Sequence, residues 1–204
     1  MSSNTFADIK YSARMTGNQF LYNEFKQVVR LICSGLSQKE IQNKVTEENL
    51  FEYKTTKAVP KRVGATYERA SYLDEDLKGM VLSEPNEVGR VINLYSIMKY
   101  DVLFTEFMEE VINEKIYTNQ LVLEKSDITN FLSIKAEQSE IVASFKESSL
   151  KRLRLAYIEV LEGAGYLNKV DKVMKLNIPT AAYRISNYLE SIGEKRFAKA
   201  LIGE

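Results

Sequence analysis

Two short basic runs carry the chemistry this sequence can do most directly. One is Pro60-Lys61-Arg62-Val63-Gly64-Ala65-Thr66-Tyr67-Glu68-Arg69, and the other is Ser149-Leu150-Lys151-Arg152-Leu153-Arg154-Leu155-Ala156-Tyr157. Lysine and arginine gathered on a helix face neutralise phosphates and need no catalytic group to do so. The chain holds 28 Lys and Arg against 28 Asp and Glu, so its formal net charge is zero. The clustering is therefore local rather than a by-product of a basic composition. Lys54 and Lys57 lie just before the first run, and Lys169 and Lys172 just after the second. With Lys61, Arg62, Arg69, Lys151, Arg152 and Arg154 they are the candidate nucleic-acid-binding residues. The competing reading of both runs is a solvated helix face. Arg154, nearest the apolar edge of its run, would then only snorkel.

Other chemistry finds little to work with. The sequence has no histidine, the commonest general base and metal ligand. Cys33 is the only cysteine, so no internal disulfide forms, which fits a reducing cytoplasm. It sits among Val28, Val29, Leu31 and Ile32, and reads as a small buried hydrophobe. Acidic pairs such as Glu109-Glu110 and Asp74-Asp76 read as solvated charge. No glycine-rich phosphate loop, Gly-x-Ser-x-Gly turn or paired-cysteine zinc motif occurs. The reading is a non-enzymatic binding protein, with no cofactor, no metal and no small-molecule substrate. Met1 to Asp8 lacks the pattern of a secretory leader. No stretch reaches the ~18 uncharged apolar residues of a membrane span.

The basic runs need elements to hold them. Apolar residues at Phe20, Leu21, Phe25, Val28, Val29 and Ile32 have helical spacing over residues 18–34, and Gly35 is a stop. Ser37-Gln38-Lys39-Glu40 is a capping box that starts a second helix, to about Thr46. Pro60 suits the first turn of a third helix, to about Tyr72. Val63, Tyr67 and Ala70 are expected on its inner face, and Lys61, Arg62, Ala65 and Arg69 on its outer face. Residues 74–87 read as a polar segment. Val88 to about Lys115 reads as a core helix with a break at Tyr100-Asp101 and an acidic strip, Glu106, Glu109, Glu110 and Glu114.

The second half repeats this plan. Ser126 or Asp127 should cap a helix through Ile128, Phe131, Leu132 and Ile134, with a short helix around Ile141-Val142. Ser148 or Ser149 should cap the second basic helix. Leu150, Leu153, Tyr157, Val160, Leu161 and Ala164 form its buried face, while Lys151, Arg152, Leu155 and Glu159 point outward. Leu155 is an unexpected residue there: it suits a neighbouring element, or a thymine methyl if the helix enters a groove of DNA. Residues 166–178 read as a β-hairpin turning near Asp171-Lys172, although the turn lacks the Asn-Gly or Asp-Gly signature. Two terminal helices, 180–191 and 194–201, break at Gly193. The expected fold is all-α in the main. It is a compact helical globule with two helix-turn-helix-like units, the second winged by the hairpin. The segments are 1–82, 83–124 and 125–204.

Four stretches carry a family resemblance. They are Glu48-Asn49-Leu50-Phe51-Glu52-Tyr53, Val91-Ile92-Asn93-Leu94-Tyr95-Ser96-Ile97-Met98-Lys99, Lys135-Ala136-Glu137-Gln138-Ser139-Glu140 and Ala200-Leu201-Ile202-Gly203-Glu204. In this order, over nearly the full length, they resemble the BrxA family of bacterial BREX phage-exclusion systems. The resemblance implies an all-α fold with helix-turn-helix elements, double-stranded DNA binding, and action beside other BREX proteins. It supplies no catalytic residues. The family has also been likened to the RNA-binding factor NusB. An RNA-binding factor and a protein–protein adaptor within the BREX complex are thus the alternatives to a DNA-binding component.

Overall fold

The computed structural model describes residues 11–17 and 19–203; the reading of Met1 to Asp8, and the Asn18 end of the first expected helix, lie outside them. Helix α1 (Tyr22–Cys33) turns at Gly35, which sits at φ 83°, into α2 (Gln38–Glu47). The capping box is present: Glu40 N–H donates to Ser37 Oγ at 3.4 Å and Ser37 N–H donates to the Glu40 carboxylate at 2.8 Å. A 3-10 turn over Thr56–Ala58 leads into α3 (Val59–Ser71), with Pro60 in the first turn. Val28, Leu31, Ile41, Val45, Val59 and Val63 from these three helices, with Phe51 from the loop after α2, close a small core of their own.

Residues 74–87 are more ordered than their polarity suggests. Asp74 accepts from Leu77 N–H at 2.8 Å and starts α4 (Glu75–Ser83), which turns Leu77 and Val81 inward. Helix α5 (Asn86–Tyr100) is the central strut and is buried on nearly every side. It breaks where the sequence indicates. Asp101 leaves helical geometry and accepts from Phe104 N–H at 2.9 Å, capping α6 (Val102–Phe107). A five-residue π-helical turn over Met108–Ile112 joins α6 to α7 (Asn113–Tyr117).

The remaining chain is α8 (Lys125–Gln138), α9 (Glu140–Ala143), α10 (Glu147–Ala164), the strands β1 (Leu167–Val170) and β2 (Val173–Leu176), α11 (Thr180–Ser191) and α12 (Lys195–Ile202). The strands pair antiparallel with Leu167 opposite Leu176 and Val170 opposite Val173. Asp171 and Lys172 both have positive φ, 49° and 67°, as a two-residue turn between right-twisted strands requires. The segment before α8 adds to the far side of β2: Leu123 N–H donates to Met174 O and Leu176 N–H donates to Leu121 O, each at 2.9 Å. The main core draws on α5, α6, α10, α11 and α12 together, with Tyr157 packed edge-on to Phe104 and tilted against Phe107.

Several local expectations are corrected. Helix α8 is capped by Glu124, not Ser126 or Asp127; Glu124 N–H donates to Asp127 Oδ2 at 2.7 Å, so Asp127 sits at the third helical position. Helix α10 starts at Glu147, which places Ser148 and Ser149 inside its first turn. Cys33 is exposed although it follows Val29 at i+4, because it is the last residue of α1, where the helix ends. The acidic strip is largely tied down. Lys135, only 6% exposed, pairs with Glu106 at 2.7 Å and Glu110 at 2.5 Å, and Arg196 pairs with Glu109 at 2.6 Å.

Candidate nucleic-acid interface

Helix α3 is clasped by α1 and α2 on one flank and by α5 on another. Burial therefore runs further round it than a single apolar stripe. Val59, Val63, Ala65, Thr66, Arg69 and Ala70 are all buried. Arg69 is the clearest correction to the sequence reading. It is 0% exposed, donates to Gln19 O at 2.8 Å and to Met15 Sδ at 3.4 Å, and its guanidinium lies 5.0 Å from the centre of the Tyr100 ring. Burial lowers its pKa to about 10. It is a core residue and cannot meet a phosphate. Ala65 likewise faces the core.

The rest of the first basic run divides. Lys54, Lys57 and Lys61 are exposed. Arg62 is half-buried and already held: its guanidinium stacks 4.5 Å over the Tyr53 ring, hydrogen-bonds the Tyr53 hydroxyl, and pairs with Glu24 at 3.6 Å, while Tyr53 donates to Glu24. Burial pushes the Tyr53 hydroxyl up to about 12, and the bond to Glu24 adds to that rise. Arg62 also acts on α10. The Glu159 carboxyl is raised, by burial first and then by Glu162, and Arg62 draws it back down. The outer end of α3 thus lies within electrostatic reach of α10.

On α10, Lys151 and Arg152 are exposed and, among the described residues, make no ion pair. Arg154 is half-buried and pairs with Glu147 at 2.9 Å, so it belongs to the edge of the helix, as its position implies. Lys169 pairs with Glu162 at 2.6 Å, which ties β1 back to the end of α10. Lys172 stands exposed at the hairpin turn and Lys175 on β2. The second cationic group, on α10, is followed directly by the hairpin β1–β2. The geometry adds Lys125 to the second group. It stands at the start of α8 and lines, with Lys151, a groove between α8 and α10. Its signal in the sequence was its spacing from Ile128 and Leu132, which places it on that face of the helix. Among the described residues, no helix is long and apolar enough to cross a membrane.

The arrangement of helices has been seen before. A crystal structure of an uncharacterized protein from Magnetospirillum magneticum superposes with a TM-score of 0.81 at 14% identity, over 96% of this chain and 100% of that one. That likeness defines the class: a mainly helical, compact fold with one small hairpin. The sequence comparisons define the family. The BrxA family model matches residues 9–193, and the BREX protein BrxA of Bacillus cereus (strain H3081.97) is 30% identical over 194 residues, 95% of this chain and 97% of that protein. The chain belongs to the BrxA family, and so stands among the components of BREX phage-defence systems.

Proposed function

We propose that this BrxA-family chain serves its defence system as a non-enzymatic binder of double-stranded DNA. The observation that carries the reading is the outer face of α10. Lys151 and Arg152 are exposed there without ion pairs among the described residues, and the hairpin that follows carries Lys172 at its turn. Three helices followed by a hairpin is the order of a winged helix-turn-helix, with α10 in the recognition position and the hairpin as wing. Lys54, Lys57 and Lys61 form a second cationic group at the α2–α3 unit. Arg62, Arg154 and Lys169 contribute less, because each must first leave an acidic partner.

The mechanism is phosphate neutralisation with release of condensed counterions. Non-specific affinity is expected at about 10⁻⁴ to 10⁻⁶ M near physiological salt. A gel-shift series with duplex DNA, single-stranded DNA and RNA, at several salt concentrations, tests this. Duplex preferred at every salt concentration, with affinity falling as salt rises, supports the proposal. Tighter binding to RNA would transfer the reading to an RNA-binding factor, and affinity indifferent to salt would remove the phosphate mechanism. The exposed Leu155 on the same helix favours a second role in docking other BREX proteins.

A further inference from the structure

Helices α8 and α10 leave a half-open groove of about 620 Å³ between them. Ile128, Leu132 and Ala136 of α8 line one wall, and Leu150, Leu155 and Ile158 of α10 the other. Leu155 is 60% exposed at its lip. A leucine so placed loses apolar area to water with no gain inside this chain, and a groove-side apolar surface of this kind marks an interaction site. The lining residues run from 125 to 136 on α8 and from 147 to 158 on α10. At 1.5 Å per residue the groove is about 16 Å long, which matches about three turns of helix.

Charge around the groove selects the occupant. Its charged lining residues are Lys125, Lys151, Arg154 and Glu147. Glu147 is taken by Arg154 at 2.9 Å, and Lys125 and Lys151 make no ion pair among the described residues. An apolar trough with unpaired ammonium groups on both walls complements an amphipathic helix that is aliphatic on one side and acidic along its rim. We infer that this groove docks such a segment of a partner protein, with aliphatic residues at i, i+3 or i+4, and i+7 filling the trough. Aspartate or glutamate on the segment meets Lys125 and Lys151. The inference does not rest on DNA binding. It has a consequence for it, since a seated segment covers Lys151 and competes with phosphate there.

The test is selection of a displayed library of random peptides, each about 12 residues long to span the groove, against the full chain. Winners are then titrated as labelled peptides against the parent, Leu155→Glu and Lys125→Glu. Both substitutions sit at exposed positions, and circular dichroism checks that each variant keeps its helices. Selected peptides should pair aliphatic residues at helical spacing with acidic flanks. Their dissociation constants should rise about tenfold or more in each variant. Three results would each overturn the inference: no enrichment, enrichment of basic or uncharged sequences, or binding indifferent to both substitutions. Self-association of the parent that Leu155→Glu abolishes would also overturn it, because a second copy would then be the occupant. A chain that fails to bind duplex DNA can still pass this test, so the two readings fail separately.

Discussion

Arg69 lies in a basic run, yet its removal should destabilise the fold rather than release nucleic acid. At 0% exposure it donates to Gln19 O and Met15 Sδ, and lies against Tyr100 on α5. Losing hydrogen bonds from a charged donor costs about 1.5–3 kcal/mol. Removing one member of a buried charged set costs about 3–5 kcal/mol in all. The Asp101 carboxyl, also buried, would lose a cation that favours its charged form. For a chain of this size 1 kcal/mol moves the melting temperature by about 2–4 °C. Arg69→Ala should therefore melt roughly 6–20 °C below the parent. Thermal circular dichroism reads that shift, and a gel shift well below the variant's transition should show near-parental DNA affinity. A variant that melts within about 2 °C of the parent but loses DNA would place Arg69 at the surface and refute the reasoning.

Burial pushes the Asp101 carboxyl up to about 6, against about 3.9 for an unfolded aspartate. Between these values the folded chain keeps a proton that the unfolded chain has lost. The stability this group contributes therefore falls as pH rises through that window, by about 3 kcal/mol at most. Asp101→Asn keeps an oxygen for the Phe104 cap, so urea midpoints should show the parent losing ground to the variant between about pH 4 and 6; a constant difference would contradict the assignment. Lys172→Gly relieves a left-handed residue at φ 67° and should raise stability by about 1 kcal/mol. The same change should lower the salt slope of DNA binding by about 0.9, since one phosphate contact is lost. Gly163→Ala places a methyl group into the Phe20 ring and should cost about 1–3 kcal/mol, read from denaturant midpoints.

The parts of the fold legible in the sequence were those with local physical causes. The Ser37–Glu40 box, the break at Asp101, the Gly193 stop and the hairpin turn at Asp171-Lys172 each depend on residues close in the chain, and each is found where expected. The misread features depend on neighbours distant in sequence. Arg69 looked external because a helical wheel assumes one buried stripe, whereas α3 is packed by α1, α2 and α5 together. Cys33 looked internal because apolar neighbours precede it, yet it is the last residue of α1 and is exposed there. The acidic strip looked solvated because its cations, Lys135 and Arg196, arrive from helices far along the chain. The candidate site shows the same division. The positions of Lys151, Arg152 and Leu155 follow from the period of α10 alone. The ion pairs that occupy Arg62 and Lys169, and the groove that Lys125 joins, exist only once α1, α8 and α10 have packed.

The central claim is that α10 meets phosphate through Lys151 and Arg152. Its most direct test is the salt dependence of duplex affinity for the parent and for Lys151→Gln with Arg152→Gln, measured by fluorescence anisotropy from 50 to 200 mM salt. Each phosphate contact contributes about −0.9 to the slope of log affinity against log salt, so the double variant should be shallower by about 1.8. Over that range the parent should lose about twelvefold more affinity than the variant. Parallel slopes, with the variant binding as tightly as the parent, would contradict the claim and leave α10 facing a protein partner instead.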